Sequence, residues 1–288
     1  MISRRKRASA IVLIALIQGS QWLLQIPETW RTLSIQFAIS ATVFGLILLR
    51  DLLRKGGSRP PLGGILLGIT FDLLPWLLLS WAGQRLAAGV VPVALCSVPL
   101  LLALDSQSSF LRNFSIAGIA GMVLAASSAL ELRADQWARL LALGAAIALL
   151  AFSLAYARRL LVSGVPLAPL LFVEHATAAA AFWLFSLRLP SPHLAAAPPL
   201  AALLISALAV NTAAAWLTWW LLAQRDAVRV AALVWPQMVV TLSLSAFLLR
   251  QQPGWLMFAG AALMLVSFLA LWRQDGKETL IFRVTPAS

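Results

Sequence analysis

Residues 200–272 read LAALLISALAVNTAAAWLTWWLL, AQRD, AVRVAALVWPQMVVTLSLSAFLL, RQQPG and WLMFAGAALMLVSFLALW. Three apolar segments are parted by polar breaks at Gln224-Arg225-Asp226 and at Arg250 through Gly254. Each segment is about 20 residues, which at about 1.5 Å rise per residue spans a hydrocarbon core of roughly 30 Å. The same layout occurs earlier in the chain. Arg112 precedes Gly121 by nine positions and Gln251 precedes Gly260 by nine, so an offset of 139 residues lays one block on the other. Identities in that register are few: Ala88 with Ala227, Ser106 with Ser245, Ser128 with Ser267.

Composition excludes an ordinary soluble domain. The chain is 61% hydrophobic and 11% charged, against roughly 45–50% and about 25% in soluble proteins. A polytopic helical membrane protein is expected, because lipid cannot satisfy open strand edges and no alternating ten-residue pattern suggests a barrel. Ser3-Arg4-Arg5-Lys6-Arg7 followed by a long apolar run reads as a first span without a small-residue cleavage site. The single cysteine, Cys96, lies within an apolar segment and gives no disulfide framework.

Ten helices are expected. The first five are Ala8–Leu24, Leu33–Leu49, Leu62–Trp81, Leu86–Leu104 and Phe114–Leu130. The second five are Trp137–Leu160, Leu167–Phe185, Leu200–Leu222, Ala227–Leu249 and Trp255–Trp272. Sixteen of the 22 Lys and Arg residues then fall on the side of the N-terminus, and six on the other: Arg31, Arg85, Arg133, Arg139, Arg188 and Arg250. The excess of positive charge in cytoplasmic loops therefore predicts both termini in the cytoplasm. It also accounts for a net charge of +12 without a nucleic-acid partner. Five helices per half inverts the second half relative to the first. Residues 1–133 form the first five-helix repeat, 134–272 the second, and 273–288 a polar cytoplasmic tail.

Phe247-Leu248-Leu249-Arg250-Gln251 followed by Gly260-Ala261-Ala262-Leu263, with Gln18-Gly19-Ser20-Gln21-Trp22 and Gln36-Phe37-Ala38 near the start, resembles the drug/metabolite transporter superfamily, EamA type. The likeness covers nearly the whole chain. It departs at Arg112 and Gln251, where that family carries an acidic residue, and at Pro236, displaced from the family's usual position in the ninth helix. The resemblance implies a ten-helix inner-membrane permease of a bacterium with two inverted repeats. It implies export of small metabolites, amino acids or drugs, with a small-molecule substrate, membrane lipid as surroundings and no cofactor.

The polar residues inside the spans are the candidate site. Asp72 sits in the middle of the third helix, where a carboxylate costs several kcal/mol unless it faces a cavity or a partner. The 139-residue offset carries Asp72 onto Asn211, so the two are expected at equivalent positions near the bilayer centre. Trp76, one turn after Asp72, shares its face, and a carboxylate beside an indole suits an amine or organic cation. The plainer reading is a protonated Asp72 that holds helices together. Glu174 and His175 in the seventh helix are candidates for proton coupling, with a snorkelling interfacial Glu174 as the plainer reading. Adjacent helix positions point about 100° apart, so the pair need not cooperate. Gln18, Gln21 and Gln25 share one face of the first helix and with Gln36 are expected to line an outer vestibule or to pack helices together. Trp216, Trp219 and Trp220 read as an aromatic belt, and Trp235 beside Pro236 as a cavity-lining residue.

Only two histidines exist, and His193 lies in a Pro-rich loop, so no metal-ligand cluster is expected from them. No Gly-rich phosphate fingerprint is present. A membrane-embedded enzyme needs grouped acid, base or nucleophile, and in sequence Asp72, Glu174 and His175 stand apart. A scaffold leaves Asp72 and Asn211 without a purpose. An ion-coupled carrier or passive exchanger is the reading that remains, with direction, coupling ion and oligomeric state left open.

Overall fold

The structure, a computed structural model, describes residues 4–21, 30–55, 61–84, 86, 90–104, 108–125, 136–188, 200–248 and 254–273. The polar tail expected beyond residue 273, the Pro-rich loop with His193, Gln25 and Gln251 lie outside these residues. All regular structure among the described residues is helical. Ten helices run in order: α1 Arg4–Gln21, α2 Trp30–Lys55, α3 Gly63–Gly83, then α4 in two pieces, Val90–Leu95 and Val98–Leu104. They continue as α5 Ser109–Ala125, α6 Trp137–Val162, α7 Leu167–Arg188 and α8 Leu200–Leu222. The ninth, α9, is again in two pieces, Ala227–Ala231 and Val234–Leu248, and α10 is Trp255–Arg273. Six of these, α2, α3, α6, α7, α8 and α10, are long and apolar enough to cross a bilayer. The chain is a helical membrane protein.

The departures from the expected boundaries have local causes. Helix α5 starts at Ser109 rather than Phe114, since its polar first turn through Arg112 and Asn113 is helical although it is not apolar. The breaks in α4 and α9 fall just before Pro99 and Pro236. Proline has no N–H to donate, and its ring crowds the carbonyl four residues back, so the ladder opens there. Between α6 and α7, Gly164 takes φ +93° and turns the chain back within a few residues.

The two halves interleave rather than standing apart. The most extensive packing is between α2 and α7 and between α5 and α10, each a pair drawn from different halves. At the second contact Gly121 faces Gly260, residues separated by the same 139 positions that relate the two sequence blocks. A Cβ on Gly121 would lie 2.8 Å from the Gly260 carbonyl oxygen, and one on Gly260 would overlap the Gly121 carbonyl oxygen. Gly121 also meets Met264 while Gly260 meets Ala125, so the helices run antiparallel. Their backbones touch because neither residue carries a side chain, a close approach that membrane helices use in place of hydrophobic driving force. Trp235 on α9 donates its indole N–H to the Cys96 carbonyl on α4 at 3.2 Å, again across 139 positions.

Gly260→Ala is expected to destabilise the bundle by about 1–3 kcal/mol, because the added methyl meets backbone that cannot turn aside. Gly144→Ala, where a Cβ meets nothing within 4 Å, should be neutral or stabilising by up to about 1 kcal/mol through helix propensity. Thermal unfolding of both variants in one detergent checks the contrast.

Candidate functional site

Helix α3 reaches α7 through two glycines one turn apart. A Cβ on Gly64 would lie 2.7 Å from the Val173 Cβ, and one on Gly68 would lie 2.5 Å from the Glu174 carbonyl oxygen. Only glycine lets the two backbones come this close. One turn beyond Gly68 is Asp72, and directly opposite on α7 are Glu174 and His175. The three side chains converge, with one ligating atom from each lying within 4.8 Å of the others. They are closed off from solvent, at 7%, 0% and 2% exposure respectively.

This corrects three expectations. Glu174 does not snorkel to an interface; it is wholly buried. Asp72, Glu174 and His175 are not isolated. Nor does the scarcity of histidine prevent ligating side chains from gathering, because a single imidazole meets two carboxyls from different helices. The sequence offered no long-range constraint tying α3 to α7. Its one hint was the spacing of Gly64 and Gly68.

The backbone is widened at both polar centres. Gly68–Leu73 on α3 and Ser206–Ala214 on α8 are π-helical, the first holding Asp72 and the second Asn211. Residues 68–73 carried forward by 139 fall at 207–212, inside the second wide turn. In α3 the cause is Pro75, which cannot donate to the ladder. In α8 hydroxyls fill the widened turn. Thr212 donates to the Ala207 carbonyl five residues back at 2.8 Å, and Ser40 of α2 donates to the same oxygen at 3.1 Å. Single π turns of this kind frequently mark functional positions.

Asn211 joins the cluster through His175. Its backbone carbonyl lies 2.9 Å from His175 Nε2, while His175 Nδ1 lies 3.0 Å from the Leu171 carbonyl. Both ring nitrogens thus face oxygens that only accept, so a neutral imidazole with one N–H satisfies only one of them. The ring is wedged between Phe37 and Phe44 of α2, with centroids 5.4 and 5.1 Å away. The Asn211 side chain donates to Gln36 Oε1 at 3.3 Å. Gln36, for which the sequence leaves an outer vestibule and helix packing both open, is 1% exposed and packs helices together in this buried network. Ser153 of α6 donates to the Thr70 hydroxyl at 2.8 Å and anchors the wide turn of α3 from its other side.

The polar accounting is incomplete. Asp72 Oδ2, both oxygens of Glu174, Gln36 Nε2 and Ser206 Oγ are buried without a hydrogen-bond partner. Buried polar groups are nearly always paired, so this cluster of exceptions calls for an explanation. A cation could take one atom from each of Asp72, Glu174 and His175. Each imidazole nitrogen is turned to a backbone carbonyl oxygen at 2.9–3.0 Å, so the ligand atoms left facing the cluster are carboxyl oxygens, suited to protons, ammonium groups or hard cations rather than to softer metals.

The remaining expected residues fall elsewhere. Trp76 packs with Trp30, Phe37 and Phe182 in a separate aromatic cluster. Trp235 is fully buried against Gly118. Trp219 is also buried, against Phe71, and Trp216 stacks on Phe44, so these two face the core rather than forming a belt. Gln18 and Gln21 lie on the last turn of α1, and their side chains are outside the described residues. Signals that sequence reading passed over include the hydroxyls Ser40, Thr70 and Ser153 and the aromatic pair Phe37 and Phe44.

Comparison with known proteins adds the fold. The chain matches no family model and no curated protein. It is similar to a solved structure described as "Crystal structure of protein", with a TM-score of 0.69 and 19% identity. That match covers 93% of this chain and 97% of the other. At that identity the likeness establishes a shared fold and carries nothing about activity.

Because each orphaned carboxyl costs stability, Glu174→Gln and Asp72→Asn are expected to raise the melting temperature of the purified protein, by an amount corresponding to roughly 1–3 kcal/mol. A fall in melting temperature for either would show that the carboxyl has a stabilising partner.

Proposed function

We propose that this chain is a secondary transporter of the ten-helix drug/metabolite type, exporting small metabolites or organic cations in exchange for protons by alternating access. The observation that carries the reading is the buried pair Asp72 and Glu174, whose three orphaned oxygens lie together among apolar helices. Intramembrane carboxyls mark substrate and proton pathways because nothing structural recovers their desolvation cost. Asp72 and Glu174, assigned separately from sequence to substrate and proton, are a single site here. With one of the two carboxyls holding a proton throughout, a second proton or a monovalent cation neutralises the pair, and each excludes the other.

The inverted repeat is supported by the antiparallel contact of Gly121 with Gly260 and by the equivalent wide turns at Asp72 and Asn211. Such repeats bind substrate where their interrupted helices meet. The orientation proposed is both termini in the cytoplasm of a bacterial inner membrane, from the distribution of basic residues. At that end Arg158 donates to the Leu222 carbonyl at 2.7 Å and to the Arg225 carbonyl. Arg229 pairs with Asp226 at 2.6 Å and donates to the Leu271 carbonyl at 2.8 Å. These contacts tie α6, α8, α9 and α10 together at the end proposed to be cytoplasmic. An enzyme is the weaker reading: carboxylate and imidazole can act as acid, base or nucleophile, but the three residues are enclosed away from bulk water.

In proteoliposomes, Glu174→Gln is expected to abolish uptake of an organic cation driven by a pH gradient while preserving cation-for-cation exchange. Equal loss of both activities, or of neither, removes Glu174 from the coupling step. Flux that is absent from the wild-type protein under every gradient removes transport itself.

A further inference from the structure

The orphaned atoms also define what kind of cation fits. We infer that the site selects a small primary amine carrying a neutral hydrogen-bond acceptor, such as an amino amide or amino alcohol, over quaternary ammonium ions and over zwitterionic amino acids. This deepens the transporter reading and rests on it.

Three observations lead there. Asp72 Oδ2, Glu174 Oε1 and Glu174 Oε2 are acceptors without donors, and a primary ammonium brings three N–H groups, whereas a quaternary ammonium brings none. Recognition of a quaternary ion relies instead on open aromatic faces. Here the two phenylalanines that flank His175 are already in ring contacts: Phe182 stacks on Phe37 and Trp216 stacks on Phe44.

The second observation is the orphaned donor across the network. From Glu174 the next residue is His175, which meets the Asn211 carbonyl; the Asn211 amide donates to Gln36, and Gln36 Nε2 ends that path without a partner. A ligand whose ammonium lies on the carboxyl pair and whose oxygen reaches Gln36 Nε2 completes both ends. The acceptor must be neutral, which is the third observation. Every arginine whose side chain is described lies near a helix end or in a connection, as with Arg31, Arg139, Arg158 and Arg188. A carboxylate placed at Gln36 would therefore be buried with only an amide to face it, at a cost that uncharged donors do not offset. Size is bounded by the enclosure, since Gln36, Asp72, Glu174 and His175 are all buried.

The test is a ligand series on the full chain purified in detergent, with binding read from quenching of intrinsic tryptophan fluorescence. Alaninamide, isopropylamine, alanine and tetramethylammonium are all small enough to be compared in one enclosed site. Alaninamide is expected to bind about tenfold more tightly than isopropylamine, the size of one hydrogen bond between buried groups. Alanine and tetramethylammonium are expected to bind at least about tenfold more weakly than isopropylamine by the same measure. In Gln36→Leu the ratio between alaninamide and isopropylamine should fall close to unity. Equal binding of all four cations and zwitterions, or a ratio unchanged in Gln36→Leu, overturns the inferred substrate class and leaves the carrier reading standing. Failure of every amine to bind the folded wild-type protein overturns both. The wild-type series is decisive even if Gln36→Leu does not fold.

Discussion

Two carboxyl groups placed together in an apolar helix bundle are a standing electrostatic cost. Ionised together at the 4.8 Å separation within which Asp72 and Glu174 lie, they would repel by about 3–4 kcal/mol at an effective dielectric constant near 20. Desolvation adds to that. The pair is therefore stable only in company, and the identity of that company changes with what the site is exposed to. In the proposed carrier, a proton taken up from one side and an ammonium group taken from the other would answer the same deficit. On that proposal this single constraint accounts for the exchange of one for the other and for keeping the site shut off from solvent between them.

The rest of the bundle holds the pair in place. Gly64 and Gly68 let α3 lie against α7, and Pro75 widens the turn that aims Asp72. Phe37 and Phe44 fix the His175 ring, and His175 carries the connection to the wide turn of α8 at Asn211. Both polar centres thus sit where a helix has already given up its regular ladder. Such turns need little rearrangement to shift, which suits elements that must open to each side in turn. The stiffer contact is elsewhere, at Gly121 and Gly260, where α5 and α10 meet backbone to backbone.

How much of this was legible in the sequence depends on the range of the interaction. Helix number and approximate limits follow from hydropathy, which is local, and the structure has ten helices within a few residues of the expected ones, apart from the polar first turn of α5 and the polar end of α2, which runs on from Leu49 to Lys55. Asp72 and Glu174 stood out singly, since a carboxyl in an apolar run is conspicuous anywhere. Their meeting did not, because it depends on the packing of α3 on α7, and hydropathy says nothing of which helices touch. The interfacial alternative for Glu174 fails for the same reason: distance from a helix end measures depth along the chain, not burial by neighbours. For Gln36 the sequence leaves vestibule and helix packing open, because its role is defined by Asn211, 175 positions away. The glycines were quoted as repeat markers at Gly121 and Gly260, while the equally telling pair at Gly64 and Gly68 passed unread.

The central claim is that protons and ammonium groups occupy one carboxyl pair in turn. The most direct measurement is the heat of isopropylamine binding to the purified protein in buffers of different ionisation enthalpy at a fixed pH. If binding expels a proton, the observed enthalpy changes in proportion to the buffer's own, with a slope equal to the number of protons released. The account predicts a slope of about one in the wild-type protein, because one charge replaces another at a site that tolerates no excess. Amine binding with no dependence on the buffer would contradict it, for then the cation and the proton do not share the site.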